Sequence, residues 1–399
     1  MSKEFRVPKQ EIKGRIEKVQ KELQEKQIDA LFITHKVNLF YFSGTAQDGY
    51  LYIPAEGDPV LMIKRYLPRA KQESPIKDII EISSVRSIPR VILGFYGEMP
   101  KTVGMEYDVM PVRDFLFYDQ QIFHDQKCID ASEIIQRMRM IKSDWEVEQI
   151  EKAGELSCMT FQYIRENLKP GYTEMEFAGM VETFARRHGH GGILRSRHYR
   201  MEVYPWHILS GKSGGIVGAL EAPTSGEGTS PAFPFGAGHK KIEKGEPIMV
   251  DFGTMLNGFH FDETRMFAIG SMPKKAADAT KASIEILNEI IENIKPGVTM
   301  DDIFQISARK AYKLGYINEF LGPAGCKVSF VGHGIGLELV EKPIIALGKD
   351  EKIEAGMVFA IEPKLVFKDE FCAGVESVVL VTEKGCRVLS KTPCEIFIV

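Results

Sequence analysis

Cysteine and tryptophan are scarce in this chain, with six and two residues among 399. The cysteines, at positions 128, 158, 326, 372, 386 and 394, include no CxxC pair. That spacing excludes a zinc ribbon and speaks for reduced thiols rather than a disulfide framework. No apolar run approaches the roughly 20 residues that a membrane helix needs, so no membrane partner is expected. An excess of positive charge is also missing: 51 Lys and Arg face 55 Asp and Glu, for a formal charge of −4. Nothing in that balance draws nucleic-acid phosphates, and no nucleic-acid partner is expected. The opening "MSKEFRVPKQEIKGR" has no apolar core of the kind that signal peptides carry, which points to a cytoplasmic location.

The chain is too long for one ordinary core and reads as two or three domains. Apolar Ile12, Ile16, Val19 and Leu23 recur at helical spacing, and "IDALFIT" follows as a buried strand. "GYLYIPAEGDPVLMI" adds two β-rich runs around a Gly-Asp-Pro turn. The first third is therefore a mixed α/β domain without a catalytic cluster. From Ile134 to Leu168 the pattern turns charged and helical, and one long helix there would form the hinge. The expected division is 1–140 and 141–399.

The second part holds an internal repeat. "NLKPGYTEMEF" from Asn167 returns as "NIKPGVTMDDIF" from Asn293, an offset of 126 residues. In both copies Pro-Gly stops a helix, and Thr173 or Thr299 caps the next, with Glu176 or Asp302 three positions on. Two related halves facing one another, with a cleft between them, are the simplest reading.

Each half contains a hairpin bearing two acids. Asn257-Gly258 is a strong two-residue turn signal, and it sets Asp251 opposite Thr264 and Asp262 opposite Gly253. The two aspartates become diagonal neighbours on one face, roughly 7 to 8 Å apart at the backbone. Two acids on a solvated strand face would explain that pattern alone. In the second half, a turn centred on Asp369 sets Glu362 opposite Glu376, unless a bulge shifts the register. Both glutamates lie in apolar runs, where a lone acid is costly. Buried acids of this kind call for cations. His333, in "GHGIG" of that half, supplies an imidazole. A lone histidine is more often structural. Between two glycines and alongside four carboxylates, it completes a ligand set for two borderline-hard divalent metals.

These residues resemble the pita-bread superfamily of Xaa-Pro aminopeptidases, prolidases, methionine aminopeptidases and creatinase. "RIEKVQKELQEKQIDALFITHKVNLFYFSGT" looks like the start of a creatinase/prolidase N-terminal domain, and "MRMIKSDWEVEQIEKAGEL" like the interdomain helix. The implied fold is α/β (α+β): that N-terminal domain, then a pita-bread catalytic domain with pseudo-two-fold halves. Asp251, Asp262, His333, Glu362 and Glu376 fall in order onto the five metal-ligand positions. The resemblance implies two divalent ions, manganese first, with cobalt, zinc or iron as further candidates. It implies Xaa-Pro peptidase chemistry by a metal-bridging hydroxide, with Glu362 and His333 as catalytic residues, and a homodimer.

Three departures qualify the resemblance. A histidine usually stands four residues before the metal histidine, and here that residue is Ser329. Another usually precedes the first metal aspartate, where Pro234 or Phe235 stands. The last metal glutamate usually lies in Arg-x-Glu-Asp, replaced here by Gly374 and Ser377. General acid–base help is worth roughly 10² to 10⁴ in rate, so losing both histidines would nearly silence peptide cleavage. His207 and His239 are candidate substitutes, with Ser329 a third substrate-binding candidate; His260, beside the hairpin turn, ranks behind them. Each histidine also has a surface or structural reading. The basic "RRHGHGGILRSRHYR" reads either as a solvated loop or as an anion or substrate-carboxylate site. The Gly-, Ser- and Pro-rich insert from Leu209 to Lys241 lends weight to an alternative: hydrolysis or lysis of a small molecule on the same scaffold, like creatinase, ectoine hydrolase or dimethylsulfoniopropionate lyase. A non-enzymatic binding protein is the third reading.

Overall fold

The computed structural model describes residues 5–198, 200, 203, 206–218 and 222–399. The chain divides into two compact units, Met1–Arg139 and Met140–Val399. Among the described residues no helix is long and apolar enough to cross a membrane, and all six cysteines are free.

The first unit is a six-stranded sheet in the order Asp78–Glu81, Val60–Ile63, Gly49–Pro54, Ala30–Ile33, Thr102–Met105, Lys127–Asp130. Helix Lys9–Glu25 buries the stripe Ile12, Ile16, Val19 and Leu23, as its period requires. The strand read in "IDALFIT" is Ala30–Ile33, buried at every position.

The expected long helix is two helices, Ser132–Met140 and Asp144–Asn167. Ser143 causes the second to restart: its Oγ accepts from Glu146 N at 3.2 Å, and Ser143 N donates in return to Glu146 Oε2 at 3.1 Å. A capping box of this kind satisfies amide donors that a new helix leaves open.

The second unit is built twice. Helices Asp144–Asn167 and Glu174–Arg187 pack on the four-stranded sheet Ile396–Ile398, Phe259–Ala268, Ile248–Leu256, His207–Ser210 around a core that includes Phe161, Phe177, Trp206 and Val250. Helices Lys274–Asn293 and Met300–Lys313 pack on the five-stranded sheet Glu341–Ala346, Phe330–Gly334, Val358–Ile361, Ser377–Thr382, Gly385–Val388 around Ile286, Ile303, Val331 and Phe359. The repeat extends to single bonds. Thr173 and Thr299 each make a reciprocal capping box. Gly171 N donates to Ile242 O and Gly297 N to Ile353 O, both at 2.9 Å. Each half thus has its own core, and the hairpin strands carry the seam.

Arg265 fastens that seam from within. It is fully buried, donates to the backbone carbonyls of Glu376, Thr392 and Pro393, and pairs with Glu263 at 3.2 Å. Glu263, also fully buried, accepts further from Ser157 Oγ. Removing one partner of a buried ion pair leaves an uncompensated charge, at a cost of about 3–5 kcal/mol. Arg265→Met is expected to lose about that much in urea unfolding. Glu263→Gln on the Arg265→Met background should recover part of it.

Candidate metal centre

The first hairpin follows from its turn. Asn257 and Gly258 both take positive φ, 55° and 90°, as a type I′ turn requires. Asp251 consequently faces Thr264 and Asp262 faces Gly253, the register read from the sequence. In the second hairpin Asp369 sits at φ 59° in the turn. Leu365 pairs with Ala373 and Ile361 with Ser377, so the register runs through Glu362 and Glu376 without a bulge. A bridge between Thr264 and Glu376 joins the halves, and Thr264 Oγ1 donates to Glu376 Oε2 at 2.8 Å.

His333 lies in Phe330–Gly334, between two antiparallel partner strands. Its glycine neighbours make that close packing feasible. A Cβ on Gly332 would lie 2.7 Å from Ala360 O, and one on Gly334 would lie 2.5 Å from Lys342 O.

The five residues converge. His333 Nε2 stands 3.6 Å from Glu362 Oε1, 3.9 Å from Asp262 Oδ2 and 4.0 Å from Glu376 Oε1. These gaps exceed hydrogen-bond lengths. Donors about 2.1 Å from a shared cation lie within about 4.2 Å of each other, which the gaps satisfy. Glu376 Oε1 is buried without a hydrogen-bond partner, and an unsatisfied buried carboxylate oxygen is expensive. Donor chemistry and orphan oxygen together fit a divalent cation, and the donor atoms of Asp262, His333 and Glu376 all lie within 4.8 Å of one another.

A residue that sequence reasoning passed over stands beside them. The Lys364 ammonium contacts Asp251 Oδ2 at 2.8 Å, Glu362 Oε2 at 2.9 Å and Glu376 Oε2 at 3.3 Å. Strand parity could have found it, because residues two apart in a strand share a face and Lys364 follows Glu362 by two. Burial, together with the excess of negative charge that four carboxylates against one ammonium leave, sets the proton affinities. Burial tends to raise the Asp251 carboxyl, but Lys364 and His207 hold it below its ordinary value. Burial, then Glu376 and Asp251, push Asp262 far up. Glu376 is pushed up to about 8 by burial, against the pull of Lys364 and with the push of Glu362 and Asp251. Lys364 holds its proton despite burial, because Asp251, Glu362 and Glu376 surround it.

Among the other candidates, His207 adjoins the cluster. His207 is buried and pairs with Asp251 across neighbouring strands. His239 and Ser329 are exposed. His260 is fully buried, with Nε2 accepting from Arg195 N at 3.0 Å and Nδ1 donating to Gly336 O at 3.1 Å. The Phe235 ring packs tilted against that of Phe233, with centroids 4.3 Å apart, and Pro234 is exposed. Part of the Leu209–Lys241 insert and of the basic Arg186–Arg200 stretch, including Tyr199, lies outside the described residues. In the described portion of the insert, Gly211–Gly215 packs on the second hairpin, where a Cβ on Gly215 would meet Phe367 O at 2.6 Å. Buried Glu174 ties the segment down by accepting from Ser210 N, Ser210 Oγ, Ser213 Oγ and Gly238 N. In the basic stretch Arg197 lies 3.6 Å from the buried carboxylate of Glu338.

With this geometry in view, comparison with known proteins fixes the class. Residues 148–383 match the model of metallopeptidase family M24, and residues 15–141 match that of the creatinase/prolidase N-terminal domain. The chain belongs to metallopeptidase family M24, a class of metal-dependent peptidases. It is 28% identical over 391 residues to a Pyrococcus furiosus protein named Xaa-Pro dipeptidase, spanning 96% of this chain and all of the relative. An X-Pro aminopeptidase structure from Thermotoga maritima superposes with a TM-score of 0.81 at 25% identity, covering 96% of this chain and 99% of the other. An Xaa-Pro dipeptidase structure from Bacillus anthracis gives 0.82 at 23% identity, covering 97% and 100%, and bears on the fold alone.

His260 yields a pH signature separate from the acids. Burial drives its pKa down to about 3, although the Gly336 carbonyl pulls the other way. The unfolded chain takes up this proton below about 6.5 while the folded chain does not. Stability from this group is therefore full above that pH and lost as the pH falls toward 3, by about 1.4 kcal/mol per unit crossed. Urea titrations should show a shallower acid slope for His260→Gln than for the unaltered protein.

Proposed function

We propose that this chain is a metal-dependent peptidase of Xaa-Pro type, of the dipeptidase or aminopeptidase kind, acting at the cluster of Asp251, Asp262, His333, Glu362 and Glu376. The observation that carries the reading is the orphaned Glu376 Oε1 facing His333 Nε2 and Asp262 across a cation-sized gap. Family membership and relatives named Xaa-Pro dipeptidase support the substrate class. A bound divalent cation supplies Lewis acidity to the scissile carbonyl and a lowered pKa for water. Manganese is the first choice, because an oxygen-rich set with one imidazole suits a borderline-hard ion.

The chain's own groups supply the rest. Glu362, with Oε1 turned toward His333 and Oε2 toward Lys364, is suited to take a proton from water and return it to the leaving amine. The Lys364 ammonium, engaged by Asp251, Glu362 and Glu376, adds a fixed positive charge to the cluster and holds those carboxylates in place. His207, buried beside Asp251, is the proposed substrate-binding histidine. His239 and Ser329 have a weaker claim, since both are exposed. The homodimer implied by the resemblance belongs to the same proposal, and the solution mass reads it.

Small-molecule hydrolysis or lysis is the second reading, favoured by the residues at the two expected histidine positions, an exposed Ser329 and the Pro234-Phe235 pair. A panel of Xaa-Pro dipeptides and tripeptides separates the two. Proline release from a dipeptide, or release of the first residue from a tripeptide, that chelator abolishes and Mn²⁺ restores is the expected result. Glu362→Gln should lower kcat by about 10² to 10⁴. Metal-loaded protein that cleaves nothing on the panel would overturn the peptidase reading.

A further inference from the structure

We propose that this centre takes one divalent cation, beside Asp262, His333 and Glu376, and that the ammonium of Lys364 fills the place of a second. The inference rests on the metal-dependent reading and departs from the two ions that the five-ligand resemblance implies.

The first ground is the way the carboxylates divide. Glu362 and Glu376 each turn Oε2 to Lys364 and leave Oε1 on the His333 side. An ammonium has three donors, and here the three contacts go to Asp251, Glu362 and Glu376. The Lys364 place is therefore already coordinated, while the Glu376 Oε1 side is not. Asp251 Oδ2 belongs to the lysine, and among the described residues the group whose donor atoms all lie within 4.8 Å of one another, Asp262, His333 and Glu376, omits both Lys364-bound Asp251 and Glu362.

The second ground is a matching vacancy in the opposite strand. The hairpin register puts Gly374 across from Lys364, next to the Leu365–Ala373 pair. A Cβ on Gly374 would lie 2.6 Å from Lys364 Cγ and 3.1 Å from Lys364 Cβ. Gly374 is not among the residues of positive φ, so space rather than backbone conformation explains the glycine. This is the position where the resemblance leads one to expect arginine. The lysine stem thus runs through room that a larger residue would remove. Its backbone is pinned as well, with Lys364 N donating to Glu362 O at 2.8 Å and Lys364 O accepting from Leu321 N at 2.9 Å.

Charge agrees with position. Four carboxylates with one ammonium and one divalent ion leave a single negative charge. A second divalent ion would make the buried cluster positive and would have to share Asp251 with an ammonium at contact distance, where like charges repel.

Metal content after equilibration with excess Mn²⁺ and removal of free ion, read by elemental analysis, tests the proposal. One ion per chain is expected for the unaltered protein, and two for Lys364→Gly, which vacates the place. Zero or two ions in the unaltered protein would overturn it, as would a folded Lys364→Gly protein that still binds one. Should the variant fail to fold by circular dichroism, the count on the unaltered protein decides alone. The substrate panel separates this proposal from the functional reading. Two ions with proline release would sink the single-metal inference only. One ion without any cleavage would sink the peptidase reading only.

Discussion

Four carboxylates buried at one seam are the constraint on which the second unit depends. Each would be expensive alone in an apolar setting, and together they repel; burial first, and then the neighbouring Glu376 and Asp251, push Asp262 far up. Positive charge must be built in or bound. Lys364 provides a built-in share, and the gap beside His333 leaves room for a bound one.

Much of the surrounding architecture makes that arrangement rigid. Type I′ geometry at Asn257-Gly258 fixes which face Asp251 and Asp262 share. Thr264 bridges from the first hairpin to Glu376 of the second, and Arg265 clasps the Glu376 carbonyl from below. Each half has a core of its own, and a smaller apolar cluster of Leu209, Met249, Met266, Val366 and Cys372 joins them, so the acids come from two packed layers that meet at the hairpins. A seam of this kind can hold polar groups that neither core would tolerate inside it.

The sequence disclosed those parts governed by local rules. Turn residues and strand parity were enough for both hairpin registers, and Pro-Gly followed by a capping threonine was enough for the repeat. The helix break at Ser143 was legible too, because a serine with glutamate three residues on is itself a start signal. It was overridden by the charged periodicity running through it. Lys364 was missed for a different reason. Parity put it on the face of Glu362, but a lysine near a hairpin turn ordinarily lies in solvent, and that expectation outweighed the parity. Glu174 was hidden likewise: its four partners come from Ser210, Ser213 and Gly238, distant in sequence, and no local pattern announces them.

On this proposal the seam holds one bound cation and one built-in cation. Diffraction from Mn²⁺-soaked crystals at the manganese absorption edge tests it most directly. The account predicts one anomalous peak, about 2.1 Å from His333 Nε2, with Lys364 Nζ still among Asp251, Glu362 and Glu376. Two peaks about 3.5 to 4 Å apart, with Lys364 displaced from the carboxylates, would contradict it.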